Sequence, residues 1–182
     1  MADFINTIDA LGDDAVIDSI IDRTITEFKD DKLTMIGRYA FNSCKTLSSV
    51  DIPNAIEILD WAFCGCESLA KVEFPKLKSV LIGSFQNCVS ITIADFPAAE
   101  SFNSQAFLGS NVKAVLLRNT QKIATLDSSN VFGISGYWYV PSSLIGGYKT
   151  ATNWSALADK IRALEDYTVD GTITGELDES KI

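Results

Sequence analysis

The sequence predicts an α/β solenoid, a right-handed coil of short parallel strands and helical turns with a helical cap at each end. Two observations carry that expectation. Ala-Phe or a near relative recurs at Ala40-Phe41, Ala62-Phe63, Ser84-Phe85 and Ala106-Phe107, each step being 22 residues. Other columns keep the same beat: Cys44, Cys66 and Cys88 follow the phenylalanines by three, Ser110 takes that place in the fourth unit, and Pro53, Pro75 and Pro97 form another column. A fixed period of this length belongs to units that cannot bury an apolar face alone and stack on their neighbours.

Residues 1–31 read as an N-terminal helical cap and lead-in. Asp13 or Asp14 suits the N-cap, and Ala15, Ile17, Ile20 and Ile21 make an apolar stripe at helical spacing. Such a helix closes the open cross-section of the first unit. Residues 32–133 hold the repeats, with units at 33–50, 51–72, 73–94 and 95–115 and a degenerate fifth at 116–133. Three columns run down the stack as core: Leu47, Leu69, Ile91 and Val112; Val50, Val72, Ala94 and Val115; Ile52, Phe74, Phe96 and Leu117. The alternation in Val50-Asp51-Ile52, Val72-Glu73-Phe74 and Ala94-Asp95-Phe96 has the period of two of a half-buried strand, each pairing in parallel with the next about 4.8 Å away. The proline that follows has no N–H for a ladder and ends the strand. The stretch leading to each phenylalanine reads as a helical turn or a 3₁₀ piece.

Residues 134–164 form a closing unit. Tyr137-Trp138-Tyr139-Val140 reads as a strand stopped by Pro141, and residues 144–150 and 155–164 as two short helices, the second capped by Asn153 or Ser155. Trp154, Leu157, Ile161 and Leu164 suit the apolar face of that second helix. Residues 165–182 are an acidic tail with Gly171 and Gly175.

The net charge of −9 sits at the ends. Residues 1–31 carry nine acids against Arg23 and Lys29, and residues 165–182 carry six against Lys181, so the body between them is slightly basic at +3. That balance argues against nucleic acid as a partner, because phosphates need a clustered basic stripe. The sequence holds no run of 18 apolar residues, which argues against membrane insertion by a helix. The opening Met1-Ala2-Asp3-Phe4-Ile5-Asn6 lacks the basic and apolar stretches of a secretory signal, and this leaves the compartment open. Histidine is absent, which removes Ser-His and Cys-His nucleophile pairs and histidine metal sites together. The expectation is a protein that is not an enzyme, with no cofactor and no metal.

Ile36-Gly37-Arg38-Tyr39-Ala40-Phe41-Asn42-Ser43-Cys44-Lys45-Thr46-Leu47-Ser48-Ser49-Val50-Asp51-Ile52-Pro53 resembles the BspA-type leucine-rich repeat. Its columns return over the following units, and Trp138-Tyr139-Val140-Pro141 through Ile161 is similar to the segment that closes such arrays. The resemblance implies a leucine-rich-repeat coil that binds protein or glycan without catalysis, as bacterial cell-surface adhesion modules or phage-associated proteins do. The alternative is a structural assembly subunit of a phage-like or cell-surface structure; oligomeric state is left open.

Three groups of residues are candidates for a role. Asp51, Glu73 and Asp95 fall at outward strand positions of successive units, an acidic column for a cation or a basic partner, with Lys71 and Lys76 as counter-charges. A hydrolase built on two of these carboxylates has the spacing of a retaining glycosidase, but a flat strand face gives it no pocket. Tyr39 and Trp61 are equivalent positions that can stack as a sugar- or partner-binding platform or pack along the convex side; the column breaks at Gly83 and Gln105. Phe41, Phe63, Phe85 and Phe107 with Cys44, Cys66 and Cys88 form the structural core ladder. The three thiols point the same way, which suits neither tetrahedral zinc nor a relaxed disulfide and favours buried free cysteines. Cys64 lies off that ladder, opposite Asn42 and Gln86.

Overall fold

A computed structural model describes residues 22–167, so the expected N-terminal helix and most of the acidic tail lie outside the described residues. Each unit places one strand on each of two walls. The first wall carries β1 (Glu27–Lys29), β3 (Ser49–Asp51), β5 (Lys71–Glu73), β7 (Ile93–Asp95), β9 (Val112–Leu116) and β11 (Ile134–Val140). The second carries β2 (Met35–Ile36), β4 (Glu57–Ile58), β6 (Ser79–Val80), β8 (Ser101–Phe102) and β10 (Thr125–Leu126). On the first wall β1 and β3 form a two-stranded ladder, and a five-stranded sheet runs β5, β7, β9, β11, β12, where β12 is Ile161–Ala163. The second wall is one five-stranded sheet. Every pairing is parallel, and Val72, Ala94, Val115 and Trp138 share one inward column. β1 lies among residues read as lead-in and already pairs in register, Phe28 beside Val50. The second wall, with only two residues per strand, is too short to leave a periodic signal in the sequence.

The third side of each unit is a run of turns, where the sequence suggests a helical turn. Tyr39, Phe41 and Ser43 donate their N–H groups to the carbonyls of Asp60, Ala62 and Cys64 in the next unit, while Ala40, Asn42 and Cys44 donate back to Gly37, Tyr39 and Phe41. Trp61, Phe63 and Gly65 repeat the pattern onto Ile82, Ser84 and Gln86. A helix directs all its N–H groups along its own chain. Here Tyr39, Ser43, Trp61, Gly65, Gly83 and Asn87 take φ of 56–75°, and that left-handed step turns alternate N–H groups along the stack. For a non-glycine residue the conformation costs about 1–2 kcal/mol, a cost offset by a hydrogen bond between units.

Inside, Phe41, Phe63, Phe85 and Phe107 are fully buried and stack with ring centroids 4.9, 5.5 and 5.1 Å apart. Burying each contributes roughly 2–3 kcal/mol. The cysteine column has a function the spacing does not reveal. The Cys66 thiol donates to the Phe41 carbonyl at 3.1 Å, Cys88 to Phe63 at 3.0 Å, and the Ser110 hydroxyl to Phe85 at 2.9 Å. The fourth-unit serine therefore preserves the cysteine's bond.

The closing unit caps this core. Trp138 packs edge-on against Phe102 and against Trp154, at 4.9 and 4.8 Å, and Tyr148 packs edge-on against Trp154 at 5.0 Å. The Ala124 N–H donates to the Tyr148 hydroxyl, the Trp154 indole N–H donates to the Ala124 carbonyl, and Asn153 Nδ2 donates to the Leu126 carbonyl. These three side chains satisfy the last strand of the second wall. Two expectations are corrected here. The stretch expected as a second helix is a 3₁₀ helix, Trp154–Lys160, followed by β12, because Ile161, Arg162 and Ala163 pair with Trp138, Tyr139 and Val140 and extend the sheet. Asn153 makes no side-chain cap; its amide is spent on Leu126. The one α-helix among the described residues is α1, Ile145–Thr150.

Candidate functional site

The outward rungs of the first wall hold the three acids of the expected column in unlike settings. Asp51 is exposed and pairs with Lys29 at 3.7 Å. Glu73 is exposed and pairs at 2.9 Å with Lys71, two residues away on the same face of β5. Asp95 is buried, with both carboxylate oxygens taken by the Arg118 guanidinium. Burial pushes the Asp95 carboxyl above the ordinary aspartate range, and Arg118 opposes that shift. The solvated column thus ends at Glu73. The physical reason is the next rung: Asp95 lies beside Leu116, and Leu116 beside Tyr139. Ile93, Ala114, Leu116 and Tyr139 form a second buried cluster on this outer face, with Tyr137 and Leu164 packed against it. The Arg162 guanidinium stands 4.3 Å from the centre of the Tyr137 ring. Lys76, expected as a counter-charge, instead donates to Asn54 Oδ1 at 2.5 Å.

Tyr39 and Trp61 are half-buried and stacked, with centroids 5.4 Å apart and planes within 7°. The break at Gly83 has a cause. A Cβ built there would collide with the Trp61 indole, so the glycine makes room for the ring to lie over its backbone. Trp61 is sandwiched between Tyr39 and Gly83 and turns its edge outward. A sugar platform works through an open aromatic face, which Trp61 does not offer.

All four cysteines are free. Cys44, Cys66 and Cys88 are buried in the ladder, and Cys64 is half-buried outside it. Burial raises the Cys44 and Cys64 thiols, and the neighbouring Cys88 thiol together with burial raises Cys66 far above the ordinary range. Such thiols stay protonated and make weak nucleophiles. Among the described residues no group of three or more cysteines or carboxylates could hold a metal ion, and no helix is long and apolar enough to cross a membrane.

Sequence reasoning missed the outer face of the second wall. Ile56, Glu57, Leu59, Lys78, Ser79 and Leu81 line a hollow across β4 and β6. Ile56 is 45% exposed, and Leu59 and Leu81 are half-buried. The signal was present: Leu59 and Leu81 stand where the first unit has Gly37 and the fourth has Asn103. Beyond the hollow, Glu100 is held between Lys78 and Lys122 at 3.4 and 2.9 Å, and the two ammonium groups keep its carboxyl below the usual glutamate range.

A family model described as the BspA type leucine-rich repeat region matches residues 22–133 in six copies. The crystal structure of a leucine-rich cell surface protein from Faecalibacterium prausnitzii is similar to this chain with a TM-score of 0.54 and 25% identity, over 65% of this chain and 33% of that one. The chain therefore spans about a third of that protein's length. No curated protein matches the sequence.

Proposed function

The chain belongs to the BspA type leucine-rich repeat family, and on that premise we propose that it is a non-catalytic binding module of a surface repeat protein that holds a protein partner on the first wall. The observation that carries this reading is the open outer face of β1, β3 and β5. Glu27, Lys29, Ser49, Asp51, Lys71 and Glu73 are all exposed there, on three successive strands of the first wall. Exposed ion pairs such as Lys29–Asp51 and Lys71–Glu73 contribute at most about 1 kcal/mol each. They can exchange partners at little cost, which suits a face that recognises complementary charges on another protein.

The likeness to a leucine-rich cell surface protein of Faecalibacterium prausnitzii supports the surface setting. A protein ligand is favoured over a glycan because the Trp61 ring faces are already occupied. The test is retention of cell-surface proteins by the immobilised full chain, compared with a Lys71→Glu/Glu73→Lys charge swap. The reading expects a partner that is released by salt, as screened surface charges require, and is lost on the swap. Equal retention by both chains, or a glycan-array signal that the swap leaves unchanged, would contradict it.

A further inference from the structure

The hollow on the second wall is separate from the face just described, and its chemistry is specific. Its aliphatic walls come from two adjacent units: Ile56 and Leu59 from one, Leu81 from the next. Elsewhere these outward positions carry Thr34, Gly37, Asn103 and Asp127. The hollow is an open depression of about 440 Å³, lined in part by the exposed Ile56, Glu57 and Lys78.

Two charged groups line it, and they differ. The Lys78 ammonium pairs with Glu100, one unit further along the stack, at 3.4 Å. Glu57 lies one unit back, beside Ser79 in register, and forms no ion pair among the described residues. Most carboxylates on the strands and turns around it do pair: Asp51, Asp60, Glu67, Glu73, Asp95 and Glu100 each meet a lysine or arginine. Glu57 is thus an exposed carboxylate with no ion pair among the described residues, flanked by the aliphatic side chains of Ile56 and Leu59.

We propose that this hollow seats a lysine or arginine side chain from an extended segment of a partner protein. The methylene stem packs on Ile56, Leu59 and Leu81, and the cationic head meets Glu57. Long basic side chains divide their surface in this way, apolar stem down and charge at the rim. A second copy of this chain does not fit the size of the patch. It covers two units spaced about 4.8 Å apart, against roughly 800 Å² per partner in a stable protein interface.

The test titrates three synthetic peptides, acetyl-Gly-X-Gly-amide with X as lysine, norleucine or glutamate, into the isotopically labelled full chain and follows backbone amide resonances. The lysine peptide is expected to shift residues 56–59 and 78–81, saturating in the millimolar range as one charged side chain allows. The norleucine peptide, which keeps the stem and lacks the charge, should bind about fivefold more weakly, and the glutamate peptide should leave these resonances unmoved. Glu57→Gln should erase the difference between lysine and norleucine while the rest of the spectrum stays in place. Leu81→Asn, which gives the third unit the residue of the fourth, should weaken both. Equal binding of lysine and norleucine to the parent chain would overturn the proposal, as would lysine-peptide shifts centred on Glu73, or no shift at residues 56–59. A dimer in light scattering that disappears with Leu81→Asn would assign the hollow to a second copy and overturn it as well.

Discussion

On β3 and β5 the outward rungs carry Ser49, Asp51, Lys71 and Glu73, all exposed; on β7, β9 and β11 the same rungs carry Ile93, Asp95, Ala114, Leu116 and Tyr139, buried, and Tyr137, half-buried. The backbone pairs in parallel at both ends, in the two-stranded β1–β3 ladder and in the sheet that starts at β5. What changes is the side chain that each repeat adds to a fixed position. A repeat therefore specifies its inward columns tightly, since a core at close packing tolerates little variation, and leaves its outward positions free to diverge. At one end they face water and stay open to partners. At the other they build a second apolar layer under Leu164, with Asp95 and Arg118 at the boundary.

Exchanging the chemistry of the two ends should break that contrast most severely. Leu116→Glu, which places a carboxylate where β5 has Glu73, should cost about 3–5 kcal/mol in urea unfolding, because it removes a buried aliphatic group and buries a charge without a partner. The reverse change, Glu73→Leu, should move stability by less than about 1 kcal/mol and show instead as lower solubility. A large loss from Glu73→Leu would mean that the exposed end is as constrained as the buried one.

The ion pairs sharpen the same point at smaller scale. Arg118→Ala leaves the Asp95 carboxylate buried and unmatched, an effect of about 3 kcal/mol, whereas Lys29→Ala and Lys71→Ala should each fall below about 1 kcal/mol. In the closing unit, Trp154→Phe keeps most of the packing and orphans the buried Ala124 carbonyl, for a loss of about 1–2 kcal/mol. All of these are readable as shifts in the urea midpoint at constant slope.

Acid titration gives the smallest and most selective contrast. The folded Glu100 carboxyl sits below its unfolded value because two lysines face it, so its stabilisation is present above the ordinary glutamate range and fades as pH falls through it. Asp95 is shifted upward by burial, so the folded state takes up a proton more readily than the unfolded chain, and this site gains stability as pH falls toward the ordinary aspartate range from above. Glu100→Gln should therefore flatten the acid loss, and Asp95→Asn should steepen it. Urea midpoints measured across that range check both signs.

The inward columns were legible because their chemistry repeats. Phe41, Phe63, Phe85 and Phe107 announce a core ladder, and even the change from cysteine to Ser110 preserves a hydrogen bond to the preceding phenylalanine's carbonyl. The burial of Asp95 was not legible, since it depends on the neighbouring rung. The columns that align Ala94 with Val115 and Phe96 with Leu117 already put Leu116 beside Asp95, but they do not show that Tyr139 and Leu164 pack over that rung. The left-handed turns were hidden for a different reason. Tyr39, Ser43 and Trp61 are residues that seldom adopt positive φ, and hydrogen bonds to the next unit override their preference. β12 is a three-residue strand whose partner lies beyond α1 and the 3₁₀ helices Ser142–Leu144 and Trp154–Lys160, and local periodicity suggested a helix instead. The aliphatic hollow was visible as Leu59 and Leu81 in a column of Gly37 and Asn103, but its meaning required knowing that those positions face outward.

The division of the first wall into an open and a closed end is tested most directly by labelling carboxylates in the native full chain with a carbodiimide and a small amine, with each site quantified by mass spectrometry. The side chains of Asp51 and Glu73 are 60% and 54% exposed, and that of Asp95 is 3% exposed. Asp51 and Glu73 should react at least about tenfold faster than Asp95, whose reaction waits on local opening, and the three should become alike in urea. Native labelling of Asp95 at the rate of Glu73 would contradict that division.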